Sequence, residues 1–376
     1  MKKLLYITVI LAVCLFCVCL FSACGNSATD SGDPEYEAQT IAISGLQELG
    51  EDGVFEVSIA ELRELPQVDL EASYLRTTGL YEEFDMTGPR LSDVIALAGG
   101  DLDDYAACAA VGRDGYYCLY DREVMDSTDL LLALKIDGEY KLADSVWPAQ
   151  IAAQGQFGPY WVRQVNRIIL YETIPEKEIT TLWNFAALTA DMEPYYYEYY
   201  GSRDAAMDLS LIFSRFDYVD SGSFFTMRSS DGFKKNEQLA GVSSGNYYIK
   251  YEGADAPTNV STSIMLGMNV QRIAWFSTNA DAVYFLDQMQ QYLTNAEAGG
   301  ETGVSVEEVL YEVGVETVKA AQWLIVAADG SEQTVSGEDL DQAVLIRKSD
   351  GCDKLVWQSD LGYQDVDSLL RITLAQ

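Results

Sequence analysis

The chain contains no histidine among its 376 residues. This absence excludes Ser-His-Asp and Cys-His catalysis, zinc sites built on imidazole, and haem held by a histidine ligand. Chemistry based on carboxylates, lysine, tyrosine or a bound cofactor is still allowed. An enzyme is therefore less expected than for an average sequence, although the composition does not exclude one.

Positive charge is also scarce. The chain has 24 Lys and Arg against 59 Asp and Glu, which gives a formal net charge of −35. Such a surface repels nucleic acid and anionic lipid headgroups, so we expect no nucleic-acid partner. It attracts cations and basic polymers, but the same charge can simply keep an extracellular protein soluble. No Gly-rich phosphate loop follows a predicted strand, which argues against a nucleotide-binding core.

The only long apolar run lies at the N-terminus. Lys2 and Lys3 precede an uncharged stretch from Leu4 to Leu20, which is followed by Phe21-Ser22-Ala23-Cys24. This pattern predicts a lipoprotein signal peptide over residues 1–23, with the mature chain starting at a lipidated Cys24. A membrane-spanning helix is the alternative, but the run is short for one. We therefore expect a protein on the extracytoplasmic face of the membrane, attached to it through the N-terminal lipid.

Three cysteines remain outside the signal peptide and its cleavage site. Cys108 and Cys118 lie on the two arms of a predicted hairpin, and a regular turn would pair Cys108 with Leu119, placing the two thiols on opposite faces. A one-residue bulge would bring them together, so a disulfide in this oxidising compartment stays open. Cys352 is left over and is expected to be an inert small side chain.

One pattern of landmarks occurs three times along the chain. It consists of a short apolar helix, an Asp-Gly turn between two strand-like runs, a later Gly, and a closing strand that contains Arg-Ile. The copies are Leu91, Asp114-Gly115, Gly138 and Arg167-Ile168; Leu209, Asp231-Gly232, Gly253 and Arg272-Ile273; and Val306, Asp329-Gly330, Gly351 and Arg371-Ile372. The first two intervals are about 22 to 24 residues in each copy, which predicts a tandem repeat of one unit.

The repeat and the composition predict the domain boundaries. Residues 24–39 are small, polar and acidic, and are predicted to form a disordered tether. The first unit is expected over residues 40–172, the second over 173–296 and a shortened third over 297–376. The Ala- and Gly-rich segment from Asn295 to Gly303 is predicted to be a linker. Strand-rich units with a few short helices indicate an α+β fold.

Residues 41–172 resemble the oxidoreductase molybdopterin-binding domain, the family with the sulfite-oxidase-type fold. The resemblance is carried by ISGLQELG, FEVSIAELRELPQV, GPRLSDVIALAG, VGRDGYYCLY, LLLALKIDGEYK and WPAQIAAQGQFGPYWVRQVNRIIL, in this order. It implies the sulfite-oxidase-type fold for the first unit and shortened relatives of that fold for the other two. It also implies molybdopterin as a cofactor and oxidoreductase activity, if the family's site is intact.

Several positions depart from the family's site. The family's Cys-x-Gly-Asn segment, whose thiolate binds molybdenum, corresponds here to Thr77-Thr78-Gly79-Leu80. A threonine hydroxyl is hard and neutral, so Thr77 cannot replace a soft thiolate ligand. The family's Pro-x-Arg segment reads Pro148-Ala149-Gln150, and the basic residues of the closing segment are reduced to Arg163 and Arg167. A pterin phosphate needs several positive donors, so we expect no metal and no bound cofactor.

The segment that forms the family's pocket is nevertheless retained in the first unit. Between Gly138 and Arg167 this unit has 9 or 10 residues more than the corresponding parts of the other two units. The candidate pocket residues are Gly79, Trp147, Gln150, Gln154, Phe157, Tyr160, Trp161, Arg163 and Arg167. They predict either an aromatic pocket for an altered ligand or, because large rings contribute heavily to burial, part of the core.

Three further features have both a functional and a structural interpretation. A tyrosine cluster, Tyr195, Tyr196, Tyr197, Tyr199 and Tyr200, could stack on sugars or peptides, but strand alternation would bury half of it. An acidic group, Asp101, Asp103, Asp104, Asp126 and Asp129, could hold calcium, but matches no EF-hand loop and is more typical of solvated surface. The recurring Arg167, Arg272 and Arg371 are expected to pair with local carboxylates.

These observations predict a membrane-anchored extracellular lipoprotein whose molybdopterin-oxidoreductase-like domain has lost its metal ligand and acts as a binding or scaffold protein. Its partner would be a small ligand or a surface protein. One alternative is an active molybdopterin-dependent oxidoreductase, with Cys108 or Cys118 folded into the cleft. The other is a cell-surface binder of carbohydrates or peptides that uses the tyrosine cluster. No residue is predicted to be catalytic.

Overall fold

The computed structural model describes residues 33–50, 53–75, 80–140, 147–199, 201–243, 245–261, 270–349 and 351–375. Within these ranges the protein is a strand-rich α+β fold with short helices. Among the described residues, no helix is both long enough and apolar enough to cross a membrane.

The first part of the chain contains a five-stranded sheet, two smaller sheets and four short helices. The elements are α1 (Pro34–Glu37), β1 (Thr40–Ser44), β2 (Val54–Ser58), α2 (Ile59–Glu64), β3 (Val68–Leu75), β4 (Tyr81–Gly88), α3 (Leu91–Leu97), β5 (Ala107–Gly112), β6 (Tyr117–Asp121), α4 (Arg122–Ser127), β7 (Leu130–Ala133), β8 (Lys135–Ile136), β9 (Gln150–Ala153) and β10 (Val165–Tyr171). The strand orders are β2-β1-β10-β5-β6, β3-β4-β8 and β7-β9.

Local sequence explains where the helices of this part begin. Ser58 caps α2, because its hydroxyl accepts the Glu61 backbone N–H at 3.2 Å while the Glu61 carboxylate accepts the Ser58 N–H at 2.8 Å. This reciprocal pair is a capping box. Leu62 on the same helix is fully buried, so the helix is held by both its cap and its apolar face.

The segment before β1 corrects the predicted tether. Residues 24–32 lie outside the described residues, but Asp33 caps α1, and Tyr36 on that helix is fully buried. The Tyr36 hydroxyl lies 2.9 Å from the carbonyl oxygens of both Leu134 and Pro148. Composition alone therefore missed a buried aromatic residue that anchors residues 33–37, within the predicted tether.

The three Asp-Gly landmarks adopt one local geometry. In each turn the aspartate carboxylate accepts the backbone N–H two residues later, and the glycine has a positive φ that other residues adopt at a cost. The pairs are Asp114 with Tyr116 at 3.0 Å, Asp231 with Phe233 at 3.2 Å and Asp329 with Ser331 at 2.9 Å, and the glycine φ values are 82°, 98° and 86°. The repeated dipeptide therefore has a structural cause.

The first of these hairpins corrects the predicted position of its cysteines. Cys108 lies opposite Tyr120 and Cys118 opposite Ala110, so both thiols are on the same face as diagonal neighbours. The strand register differs from the predicted one because the turn has three residues, 113–115, instead of two. The Gly112 N–H closes this turn by donating to the Tyr116 carbonyl at 2.8 Å. Diagonal Cα atoms are about 7 to 8 Å apart, which is far for a disulfide. Both cysteines are free, and burial raises the pKa of each thiol.

The remainder of the chain repeats a succession of strands, hairpins and short helices. The first group is β11 (Thr181–Asn184), α5 (Phe185–Leu188), β12 (Tyr195–Tyr199), β13 (Ser202–Asp208), α6 (Leu209–Phe213), β14 (Phe224–Ser229), β15 (Lys234–Gln238), α7 (Leu239–Ser243), β16 (Tyr247–Lys250), β17 (Thr258–Ser261) and β18 (Ile273–Ser277). The second group is β19 (Asp281–Tyr284), α8 (Leu286–Met289), β20 (Asn295–Ala298), β21 (Glu301–Ser305), α9 (Val306–Glu312), β22 (Gln322–Ala327), β23 (Glu332–Ser336), β24 (Ala343–Arg347), β25 (Asp353–Trp357) and β26 (Leu369–Leu374).

The segment predicted to be a linker is instead a β-hairpin. Residues Asn295–Ala298 pair with Glu301–Ser305 as β20 and β21. Gly299 and Gly300 form the turn with φ values of 58° and 80°. Two consecutive residues with positive φ make the tight turn that suits the twist of a hairpin, so the Ala- and Gly-rich composition marks a turn rather than a flexible connection.

Strands from both groups form one eight-stranded sheet with the order β15-β14-β18-β19-β11-β26-β22-β23. The two strands that open the groups lie side by side in its centre and are parallel, with Trp183 opposite Val283. Each opening strand also pairs with the closing strand of the other group. β19 pairs with β18, and β11 pairs with β26. Residues on either side of position 297 therefore share one sheet.

Alternation along these central strands separates two cores on the two faces of the sheet. One core contains Trp183, Phe225 and Phe276. The other contains Leu182 and Trp323. Two smaller sheets, β12-β13-β16-β17 and β20-β21-β24-β25, complete this part of the protein.

Candidate functional site

Three of the predicted site residues are not among those that the structure describes. Thr77 and Gly79 lie outside the described residues, as does the predicted lipidation site Cys24. The other candidate pocket residues are described, and their contacts show how each side chain is used.

Three candidate pocket residues, Trp147, Gln150 and Gln154, pack within the first unit. The Trp147 ring packs against Tyr36 at 4.6 Å between centroids. Gln150 on β9 is 2 % exposed. The Gln154 side-chain carbonyl accepts the Ser73 backbone N–H at 3.1 Å, which covers part of the free edge of β3. These side chains therefore contact other parts of the first unit.

Trp161 and Arg163 form a second group around a tyrosine. Trp161 is 3 % exposed and its ring lies 4.9 Å from that of Tyr74. Arg163 donates to the Tyr74 hydroxyl at 2.9 Å, and this hydroxyl lies 3.2 Å from the Glu82 carboxylate. Arg167, by contrast, is exposed on β10. The structure thus does not bring the two arginines together as a pair of anion donors.

Phe157 and Tyr160 contact the second unit. Their ring centroids lie 5.6 and 5.5 Å from that of Phe233, and the Tyr160 ring meets Phe233 edge-on at 87°. The Tyr160 hydroxyl donates to the Lys234 carbonyl at 3.1 Å. On the other side, the Tyr120 hydroxyl donates to the Tyr160 carbonyl at 2.7 Å. Tyr160 is therefore held by both units.

A buried ion pair lies beside this contact. The Lys235 ammonium and the Glu237 carboxylate on β15 are 2.5 Å apart, with side chains 1 % and 7 % exposed. The ammonium also lies 4.1 Å from the centroid of the Tyr116 ring in the first unit. Charges removed from water in this way are stable only when they are paired. This pair was not predicted, because the run KKNEQ is typical of an exposed edge strand.

Together these contacts define the surface between the first and second units, which we call the unit 1–2 interface. It includes Tyr116, Phe157, Tyr160, Phe233, Lys235 and Glu237. Two of the aromatic residues predicted to line a pocket are thus part of an interface within the chain.

The described residues do not fit a molybdopterin phosphate. Such a dianion needs several convergent positive donors. Of the two arginines in the closing segment, Arg163 donates to Tyr74 and Arg167 is exposed on β10, while Gln150, where the resemblance implies an arginine, is neutral. In the described part of the chain, no group of three or more cysteine or carboxylate side chains could hold a metal ion.

The acidic residues considered for calcium have local partners instead. Asp101 caps a short turn by accepting the Asp103 N–H at 3.1 Å. Asp126 and Asp129 form exposed ion pairs with Arg122 and Arg90, respectively, with an N–O distance of 3.2 Å in the second pair. Asp104 ends the same short turn as Asp103. The structure therefore distributes these carboxylates over several surface contacts.

The tyrosine cluster is divided between the two faces of β12. Tyr195 stacks on Tyr248 with centroids 4.4 Å apart and an angle of 21°. Tyr196, on the opposite face, lies under the guanidinium of Arg203 at 4.1 Å. The Tyr199 side chain and Tyr200 lie outside the described residues. Strand alternation therefore prevents the described tyrosines from forming one continuous platform.

The recurring arginines have different surroundings. Arg272 pairs with Asp231 of its own hairpin at 3.3 Å, which agrees with the prediction of a local carboxylate partner. Arg371 lies over the Trp183 ring at 4.9 Å. Arg167 is exposed. Their common position beside a closing strand does not create a common site.

A buried polar network joins the two halves of the eight-stranded sheet and was not predicted. Asp353 on β25 is 1 % exposed and accepts from Arg347 at 2.9 Å. The Asn184 amide of β11 donates to Asp353 and, at 3.1 Å, to the Tyr284 hydroxyl of β19. Burial raises the pKa of Asp353 to about 6, although Arg347 opposes this shift. Asn184 and Tyr284 are 100 residues apart in the sequence, so the local sequence around either residue does not predict their contact.

Two larger cavities lie away from the candidate pocket residues. One of about 540 Å³ lies between β22, β23 and residues 362–368. The other, of about 610 Å³, lies between residues 176–180 and 314–317 and includes Trp323 in its lining. The sequence predicted a family-like cleft only in the first unit, so neither cavity was expected.

Comparison with known proteins gives a weak structural likeness. No protein-family model matches the chain, and no curated protein does. Among solved structures, the chain is similar to the sulfane dehydrogenase SoxCD from Paracoccus pantotrophus, with 19 % identity and a TM-score of 0.33. The match covers 38 % of this chain and 40 % of that chain, so it extends over less than half of either protein.

Proposed function

We propose that this chain is a lipid-anchored extracytoplasmic binding or scaffold protein, built from three units related to the molybdopterin-binding oxidoreductase domain. The first unit has lost the metal centre of that family. The main support for the proposal is that Tyr160 contacts both units. Its side chain contacts Phe233 and Lys234 of the second unit, and its backbone carbonyl accepts a hydrogen bond from Tyr120 of the first unit. Aromatic residues of the family's pocket segment therefore serve to join units.

The equivalent positions of the landmarks support three related units. Leu91, Leu209 and Val306 each begin a short helix and are at most 1 % exposed. The glycines at the third landmark share φ values of 82° to 87°. The isoleucines of the closing strands, Ile168, Ile273 and Ile372, are also at most 1 % exposed. Shared local geometry at all landmarks is expected of copies of one unit.

Loss of the metal centre is supported by the chemistry of the replaced residues. Thr77 stands where the family has its cysteine ligand, and a neutral hydroxyl does not bind molybdenum as a thiolate does. The other thiols do not compensate, because Cys108 and Cys118 are buried with raised pKa values, and a thiol must ionise to act as a ligand. Gln150 and the separated arginines remove the phosphate donors.

A scaffold role is supported by the way the units are joined. The unit 1–2 interface combines packed rings with a buried ion pair, and the second and third units share an eight-stranded sheet. Such connections hold surfaces in a fixed relation, which suits a protein that presents a binding surface. The partner we propose is a small ligand or another surface protein, reached from a membrane-tethered N-terminus.

Molybdenum and pterin analysis tests this proposal against the oxidoreductase alternative. The mature chain is expressed in a host that makes molybdopterin, and a molybdopterin enzyme purified from the same host serves as the positive control. We expect far less than one molybdenum atom and one pterin per chain, while the control is loaded. Stoichiometric molybdenum in this chain would overturn the proposal and favour an active oxidoreductase.

The anchor has its own test. Changing Cys24→Ala removes the only thiol to which the lipid can be attached after signal-peptide cleavage. We expect the variant to leave the membrane fraction, whereas Cys352→Ala stays with it. If the Cys24→Ala chain is processed at the same site but remains in the membrane fraction, lipid anchoring is wrong.

One observation favours the carbohydrate or peptide alternative. Tyr195 is 42 % exposed although it stacks on Tyr248, so an aromatic surface remains open to solvent. Aromatic rings of this kind bind sugars and peptides well. The division of the tyrosines between two faces limits this surface to a single stacked pair, so we place this function second.

A further inference from the structure

The side-chain amine of Lys177 is held by neutral groups. This lysine lies in the segment that leads from the first unit into β11. Its Nζ donates to the Thr226 hydroxyl at 2.6 Å, to the Ser277 hydroxyl at 3.1 Å and to the Ser277 carbonyl at 3.2 Å. These three acceptors use the three hydrogens of an ammonium group without supplying a negative charge.

The surroundings of this amine do not supply the missing charge. Thr226 and Ser277 lie opposite each other on β14 and β18 and are 3 % and 1 % exposed. The Thr226 hydroxyl donates in turn to the Asn236 side chain on β15 at 2.6 Å. The charged group that acts on Lys177 is the ammonium of Lys234, which has the same sign. The neighbouring Glu176 and Glu178 are exposed.

This environment favours the uncharged amine. Burial, assisted by Lys234, lowers the pKa of Lys177 to about 7. About half of the Lys177 side chains would then be free base at neutral pH, against on the order of one in a thousand for an ordinary lysine. A free amine in such a site is a nucleophile for carbonyl compounds.

A cavity adjoins the same segment. Lys177 contributes to the lining of the 610 Å³ cavity, together with Thr180, Gly314, Val315, Thr317 and Trp323. Carbonyl compounds of a few carbon atoms fit in a space of this size. The residue is partly exposed beside this cavity, although the two residues that bind its amine are buried.

We propose that Lys177 is a site of covalent attachment for small aldehydes or ketones. The amine nitrogen adds to the carbonyl carbon, and the C–O π electrons move to oxygen. A proton passes from nitrogen to this oxygen, and loss of water then gives an imine. No oxidant or reductant is needed. The Ser277 hydroxyl, 3.1 Å from the nitrogen, is placed to relay the proton.

Reductive trapping tests the site in the intact mature chain. The protein is incubated with acetaldehyde and sodium cyanoborohydride at pH 7, digested, and the alkylated lysines are quantified by mass spectrometry. The internal control is Lys319, whose ammonium pairs with Glu307 at 3.1 Å and whose pKa is raised by that contact. We expect Lys177 to be alkylated at least tenfold faster than Lys319 at pH 7.

Two further measurements separate reactivity from simple exposure. The alkylation rate at Lys177 should level off above about pH 7, while that at Lys319 keeps rising with pH.

Lys234→Gln removes the repelling charge at an exposed position, so it should slow alkylation of Lys177 at pH 7 several-fold, whereas Lys319→Gln should not. Alkylation of Lys177 no faster than that of Lys319, or only after unfolding in urea, would overturn the proposal.

Discussion

Replacing Phe233 by alanine should lower the free energy of unfolding by about 3 to 5 kcal/mol, which is the usual cost of removing a buried aromatic ring. Phe233 is only 6 % exposed and packs on Phe157 and Tyr160 of the first unit. The substitution removes these contacts and leaves a cavity next to the buried Lys235–Glu237 pair. Chemical denaturation monitored by tyrosine and tryptophan fluorescence measures the change.

Tyr218→Ala is the matched control for this substitution. Tyr218 is an aromatic residue of the same unit, but it is 65 % exposed. Its replacement should change the free energy of unfolding by less than about 0.5 kcal/mol, as is usual at the surface. If Phe233→Ala costs no more than Tyr218→Ala, the ring does not pack at the unit 1–2 interface in solution.

Arg347→Met is expected to destabilise the protein by about 3 to 5 kcal/mol, because it leaves the Asp353 carboxylate buried without its cation. Asp353 is 1 % exposed and receives a hydrogen bond from Arg347 at 2.9 Å. The matched control is Arg215→Met. Arg215 pairs with Asp191 at 2.8 Å, but both side chains are largely exposed, so this loss should cost about 0 to 1 kcal/mol.

The effect of Arg347→Met should depend on pH. Burial already raises the pKa of Asp353 to about 6, and removal of Arg347 takes away the first of the contacts that oppose this rise. A carboxyl whose folded-state pKa is raised stabilises the fold below its unfolded pKa, and this contribution is lost as the pH rises through the folded-state pKa. The variant should therefore be closer to the parent at pH 4 than at pH 8. Equal losses at both pH values would contradict the assignment of Asp353.

Local features of the fold were predictable because their causes are local. The Asp-Gly dipeptides mark turns in which the carboxylate binds the backbone two residues later, and this contact depends only on adjacent residues. The apolar residues at Leu91, Leu209 and Val306 mark the buried starts of helices for a similar reason. A spacing that recurs three times makes such signals more specific than any one of them alone.

Pairing over long distances in the sequence was not predictable. β11 and β19 each pair with a strand of the other group. This pairing depends on which strand edges are free after the hairpins have formed, and the sequence of neither strand indicates its neighbour. The same holds for the contact of Asn184 on β11 with Asp353 on β25, which connects two different sheets. The hairpin at Asn295–Gly303 was missed for another reason, because glycine composition does not distinguish a tight turn from a linker.

The candidate site illustrates the same division. The sequence correctly placed a concentration of aromatic residues between Gly138 and Arg167, but it could not tell a pocket from an interface. That choice depended on Phe233, which lies more than sixty residues beyond the segment and whose contact with Tyr160 is visible only in three dimensions. The buried charges of Lys235 and Glu237 were equally invisible, since their burial comes from the docking of the first unit.

The most direct test of the unit 1–2 interface is a double-mutant cycle between Tyr160 and Phe233. The free energy of unfolding is measured for the parent, for Tyr160→Ala, for Phe233→Ala and for the double variant. Because the two rings meet edge-on at 5.5 Å, we expect the two losses to be coupled by about 0.5 to 1.5 kcal/mol. Strictly additive losses would mean that the two rings do not touch, and the pocket segment would then not join the two units.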